Sequence, residues 1–179
     1  GLKIDIRDVE GDFVRPDRLH VQIGAVVLNM RVNLQTINVA GRTFLTSPGN
    51  PDQWMELSVE SNPVAFFNPA EGVSTVIRDL ENVEKLGTES VKYAKHVAEG
   101  DKTERVEVDG TSYHLKGVTK AAAKRALFGS LATDDDVQTE VWVDSKDFYI
   151  TKMKLQGIVI QGDTADSERL LHQTEFGRV

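Results

Sequence analysis

Four histidines, 28 acidic residues and no cysteine are the raw material for chemistry in this chain. Without cysteine there is no disulfide framework and no thiolate metal site. His20, His96, His114 and His172 are scattered. His20 and His114 fall on the polar sides of alternating segments, so solvated strand histidines are a better reading than a converging metal pair. Asp134, Asp135 and Asp136 could offer carboxylate oxygens to calcium. They lack the spaced ligands and central glycine of an EF-hand, and a solvated acidic turn accounts for them. The stretch DTADSE at 163–168 reads the same way. With 28 acidic residues, some pair falls at glycosidase-like separation by chance, so carboxylate pairs diagnose nothing here. Trp54 and Trp142 could be stacking platforms. Trp142 interrupts the polar side of TEVWVDS, opposite Val141 and Val143, and packing is its plainer role. There is no G-x-G-x-x-G, P-loop, G-x-S-x-G or H-E-x-x-H. The residues therefore call for no cofactor, no metal and no catalytic group.

The elements that would position any site are easier to read. LKIDIRDV alternates, with Leu2, Ile4 and Ile6 on one face and Lys3, Asp5 and Arg7 on the other. RLHVQIGAVV repeats this with Leu19, Val21 and Ile23. In VVLNMRVNLQ, Val26, Leu28, Met30, Val32 and Leu34 are expected along one face of a continuous strand. INVAGRTFLTS reads as two short strands around Ala40-Gly41, SPGNPDQ as a loop, and WMELSVE as another strand. At residue 68 the period changes. Asn68 suits an N-cap, Pro69 the first helical position, and Glu71 completes most of a capping box. Val73, Val76, Ile77 and Leu80 then follow at i, i+3, i+4 and i+7, one helical face. Gly72 stands where a hydrophobic staple needs an apolar residue, so the preceding Phe66 and Phe67 must pack elsewhere.

Strands resume after Val83. GTESVKYAKHVAE and ERVEVDGTSYHLKGV flank a polar link, and DGT at 109–111 signals a hairpin turn. TKAAAKRALFGSLA is a second helix with Thr119 as its cap and Leu127, Phe128 and Leu131 as its apolar stripe. VQTEVWVD, FYITKMKLQGIVIQGD and LLHQTEFGRV complete the set. Tyr149, Thr151, Met153, Leu155 and Val159 share one face. About ten antiparallel strands and two helices result, with one wet sheet face and one covered.

The chain's 179 residues are the length of one domain, and folding buries roughly 70% of the exposed surface at this size. A net charge of −7 without clustered Lys or Arg offers no sequence-independent grip on nucleic acid or on an anionic bilayer surface. No apolar run reaches the ~18 residues of a membrane span. The first residue is Gly1, as in a trimmed or mature chain, and a removed signal or anchor is compatible with it. The long aliphatic faces fit a flat sheet over a filled core or a curved sheet over a hollow, and periodicity alone does not separate the two.

The order GRTFLTSPGNPDQWMEL, FFNPAEGVSTVIRDLENVEKLGTESV, GTSYHLKGV and then Val141 to Asp144 resembles the mycobacterial LppX/LprA/LprF/LprG lipoproteins, from about residue 2 to 176. The resemblance implies an α+β fold: a strongly curved antiparallel sheet, an open half-barrel, with helices across its concave face and a hydrophobic cavity beneath. It implies one lipid-binding domain over residues 1–179. The expected function is non-enzymatic binding and transport of acylated lipids or glycolipids at the cell envelope. The protein would be a monomer, extracytoplasmic, and held at the outer face of the cell membrane by an N-terminal lipid anchor. The sequence departs from the pattern in lacking the lipobox cysteine, a signal peptide and the family's leading helix. Candidate lining residues are Leu28, Met30, Val32 and Leu34 on the sheet, Phe66 and Phe67 at the hinge, and Val73, Val76, Ile77, Leu80, Leu127, Phe128 and Leu131 on the helices. Each methylene of an acyl chain buried there would contribute about 0.8 kcal/mol, which needs no polar motif. The competing readings are an envelope module with a filled core, and a hydrolase using a carboxylate pair.

Overall fold

The computed structural model describes residues 4–14, 18–40, 42–47, 50–57, 69–99 and 102–177. The chain divides into two compact units, Gly1–Ala70 and Glu71–Val179.

The first unit is a five-stranded antiparallel meander: β1 (Ile4–Val14), β2 (Arg18–Val27), β3 (Met30–Val39), β4 (Arg42–Ser47) and β5 (Asn50–Leu57). Each strand pairs with the next, as short links require. Alternation sorts the two sides. Val21, Ile23 and Ala25 are buried, with Thr36 and Leu45 in register on the same side. Ile6, Leu19 and Leu34 pack against Val21 and Ile23. The other side is polar. Asp8, Glu10, Gln22, Arg31, Asn33, Gln35 and Thr46 line a groove of about 540 Å³ there.

The continuous strand expected through 26–34 is interrupted. Leu28 and Asn29 both have positive φ, 50° and 62°, and form a two-residue turn between the paired Val27 and Met30. Pairing 27 with 30 exchanges odd for even positions. Val26 falls opposite Arg31 on the polar side, while Met30, Val32 and Leu34 share the other. The turn thus shows in the sequence as a change of phase, from apolar odd positions at Leu19, Val21 and Ile23 to apolar even positions at Val32 and Leu34.

The second unit contains α1 (Pro69–Arg78) from its third residue on, β6 (Glu81–Glu99), β7 (Lys102–Thr119), α2 (Ala121–Phe128), a 3-10 turn at Gly129–Leu131, β8 (Val137–Asp144), β9 (Ile150–Gln156), β10 (Glu168–His172) and β11 (Glu175–Phe176). The helix begins at Pro69 as expected. The capping roles read for Asn68 and Glu71 lie outside the described residues. The sheet order is β10-β9-β8-β7-β6-β11, every pair antiparallel except β11 with β6. The parallel pair follows from counting. Across β10-β9-β8-β7-β6 directions alternate, so β6 runs with β10, and β11 continues β10's direction. Among the described residues the strands thus form two sheets with one parallel pair, in place of a single antiparallel one.

The run from β10 to β11 ties both edges of the second sheet. Gln173 N donates to Thr151 O of β9 at 2.9 Å, and Ala94 N of β6 donates to Thr174 O at 2.8 Å. Phe176 stacks on Tyr149 with centroids 4.2 Å apart and meets Tyr93 edge-on at 5.3 Å. Neighbouring strands are spaced about 4.8 Å, so one segment reaches both edges only because the sheet curls at this end.

Two local expectations are corrected here. DGT at 109–111 is no turn. Asp109, Gly110 and Thr111 pair with Lys92, Val91 and Ser90 inside β7. Gly110 serves packing: a Cβ there would lie 3.0 Å from Asp144 Oδ1. Thr119 does not cap α2. The N-cap is Lys120, without a side-chain cap bond, and the buried Thr119 hydroxyl lies 2.7 Å from Thr139 Oγ1.

Candidate functional site

The predicted apolar residues separate by environment. On α1, Val73 and Val76 are 2% and 0% exposed and Ile77 is half-buried; Leu80, expected on the same helix, lies two residues past its end and is half-buried. On α2, Leu127 is buried, while Phe128 and Leu131 are half-buried at its end and in the 3-10 turn. Gly72 joins the two helices. A Cβ there would lie 2.6 Å from Leu127 Cα and 2.9 Å from Ala126 O, so only glycine admits this approach. The absence of an apolar residue at 72, which defeats a staple, is what brings the helices into contact. Leu80 settles over Gly117 of β7, where a Cβ would lie 2.6 Å from Leu80 Cγ.

The candidate lining left out other residues that are buried on the second sheet. Val137, Thr139 and Val141 of β8 and Met153 and Leu155 of β9 are all at most 2% exposed. Val141 pairs with Met153 and Thr139 with Leu155, so they share one side. The alternation in VQTEVWVD and ITKMKL carries the signal for them. In the first unit Val32 and Leu34 are half-buried on the apolar side. Leu28 and Met30 are not enclosed: they are 71% and 63% exposed at the hairpin tip. Phe66 and Phe67 lie outside the described residues.

The opposite side of the second sheet is polar and tightly bonded. His114 Nδ1 lies 2.8 Å from Glu89 Oε1 and its Nε2 2.7 Å from Glu140 Oε2. Lys154 Nζ meets the other Glu140 oxygen at 2.7 Å. Burial pushes the Glu140 carboxyl up, but the bonds from Lys154 and His114 outweigh it and hold the group below the ordinary range. Trp142 is only 6% exposed although it points to this polar side. Its cross-strand neighbours flank it, His114 stacked at 4.2 Å and Lys152 Nζ 4.2 Å from the ring centre, and its Nε1 donates to Glu89 Oε2 at 2.9 Å. The ring is occupied by the protein itself, which fits a packing role. His20 approaches Gln35 at 3.5 Å, and His96 lies 3.3 Å from Glu175.

Of the acidic turn at 134–136, Asp134 bonds Arg125 and Asp136 bonds Lys120. Lys124, fully buried, donates to Thr133 Oγ1 and to Ile158 O. Burial lowers its pKa against the pull of the neighbouring aspartates. These groups fasten α2 to the following loops. Among the described residues no group of three His, Asp or Glu is placed to hold a metal, and no helix is long and apolar enough to cross a membrane.

Buried aliphatic side chains on β8, β9 and the two short helices, with bonded polar groups on the other side of the sheet, define a β-rich protein with two short helices. The chain belongs to the LppX_LprAFG lipoprotein family, whose model matches residues 2–175. That family is one of lipid-binding carriers and not of enzymes. Among solved structures the chain is similar to the crystal structure of the Mycobacterium tuberculosis lipoprotein LppX, at 12% identity and a TM-score of 0.38, over 92% of this chain and 88% of that one. A search of the curated proteins finds no match.

Proposed function

We propose that this protein binds acylated lipids or glycolipids at the cell envelope and carries them, without catalysis. The observation that carries this reading is the family match over residues 2–175. The aliphatic faces support it. Acyl chains are recognised by apolar area, at about 0.8 kcal/mol per buried methylene, so a carrier of this kind needs no polar motif. The proposed contact residues are Val32 and Leu34 in the first unit, and Val73, Val76, Ile77, Leu80, Leu127, Phe128 and Leu131 in the second. Leu28 and Met30, exposed at the tip, are left out of the lining. The half-barrel with an apolar hollow, one lipid-binding domain and a monomeric state belong to the same proposal. So does an extracytoplasmic position held by a lipid anchor N-terminal to β1.

The test is organic extraction of the purified protein followed by mass spectrometry, together with titration of a fluorescent acyl probe. Co-purified acylated lipid, displaced by the probe, is the expected result. No extracted lipid and no saturable probe uptake would overturn the carrier reading and leave the filled-core module in its place.

A further inference from the structure

The turn between β2 and β3 is built against ordinary rules. Two-residue hairpin turns with positive φ at both positions select Asn, Asp or Gly, because a larger side chain crowds the backbone there. Asn29 obeys this, but position 28 is a leucine at φ 50°. It is 71% exposed, and the next residue after the turn, Met30, is 63% exposed. At that exposure, packing against the described residues does little to offset the strain. The turn at the other end of β3 serves as an internal comparison. Val39 pairs with Arg42, and Ala40 between them, also at positive φ (51°), meets the same demand with a small side chain. Phe148 of the second unit also combines positive φ with exposure, but it stands alone beside the ion-paired Asp147.

The tip's surroundings point to its partner. Ile4 pairs with Val27, so the chain enters β1 at the end of the sheet that carries Leu28 and Met30. Arg31, whose side chain is 75% exposed, is the next residue along β3, and the exposed Arg7 lies in the β1 bulge beyond Ile6. Arg31 reaches Asp8 only at 3.5 Å across exposed surface. Such a pair contributes little and leaves the guanidinium able to meet an anion. Apolar side chains at an exposed hairpin end, with Arg31 set just behind them, match the layering of a bilayer: acyl boundary outside, phosphate level inside.

We propose that Leu28 and Met30 form a membrane-insertion tip that seats the first unit on the surface of a phospholipid bilayer. The proposal rests on the lipoprotein reading, in which an N-terminal anchor keeps the chain at a bilayer. An anchor raises the local concentration of the tip at the bilayer, so two apolar side chains suffice where they would not in free solution.

The chain has no cysteine, so Leu28→Cys, Met30→Cys and Ala40→Cys each accept one environment-sensitive fluorophore. The full chain is tethered by an N-terminal histidine tag to vesicles of phosphatidylcholine and phosphatidylglycerol containing a nickel-chelating lipid. A blue shift and quenching by doxyl-labelled lipid are expected at 28 and 30 and not at 40. No change at 28 and 30, or the same change at 40, overturns the proposal. A shift without vesicles that grows with protein concentration overturns it too, by assigning the tip to a second copy. Leu28→Asn, unlabelled, is expected to raise the melting temperature by about 2–4 °C, because Asn accepts this conformation. A lower melting temperature would make Leu28 a packing residue instead. The tether stands in for the anchor, so failure at 28 and 30 sinks the tip alone. A native protein without an N-terminal acyl group sinks the anchor alone, and solvent extraction judges the carrier reading separately.

Discussion

At the scale of residues, the polar side of the second sheet is governed by Glu140. Its carboxylate receives Lys154 on one oxygen and His114 on the other. Its folded pKa lies below the unfolded carboxylate value of about 4.3, so its contribution is complete above that pH and is lost as pH falls through the lowered folded value. Glu140→Gln is expected to cost about 1–3 kcal/mol at neutral pH, because Lys154 and His114 lose a charged acceptor. It should also flatten the decline of stability in acid. Urea unfolding of both proteins at neutral pH and through the acid range checks this, and parallel curves would contradict it. None of this cluster was legible as a cluster in the sequence. Alternation places His114, Glu140, Trp142 and Lys154 on wet sides, but their meeting depends on register, which His114 opposite Trp142 and Glu140 opposite Lys154 establish only in the folded sheet.

Among elements, the helices show what periodicity can and cannot give. The stripe Val73, Val76, Ile77, Leu80 was readable from spacing, and Pro69 marked the start of α1. The contact that positions α1 was readable only as an anomaly, a glycine where an apolar residue belongs. Gly72→Ala tests its role. In an isolated helix the change would gain up to about 1 kcal/mol of propensity. Here the added methyl meets the Leu127 backbone, which cannot rotate away, and overpacking of this kind costs about 1–3 kcal/mol. Net destabilisation in urea is expected; a more stable variant would show that the helices separate freely. The misread DGT and Leu28-Asn29 make the complementary point. Turn dipeptides report local conformational tolerance, and a long paired strand or a membrane-directed tip can override them.

The whole molecule is where the sequence said least. Strands were visible one by one, but not their division between two sheets, because alternation carries no record of which strand pairs with which. The parallel β11 is two residues long, too short for any pattern. Yet Phe176 within it touches both Tyr93 and Tyr149. Phe176→Ala is expected to cost about 1–3 kcal/mol, from two ring contacts and the area they bury. Hydrogen exchange should quicken at the Ala94 amide, which bonds Thr174 O, more than at Val141 in the middle of the sheet. Equal acceleration at both would mean that the tie and the sheet open together.

That tie also sets an order of events. The segment that satisfies β9 on one side and β6 on the other lies C-terminal to every strand it joins. While the chain is being made, β6 to β9 exist with both margins bare, and bare margins invite pairing with other chains. A single late stretch covers part of both. Until that stretch emerges and docks, the sheet stays adhesive.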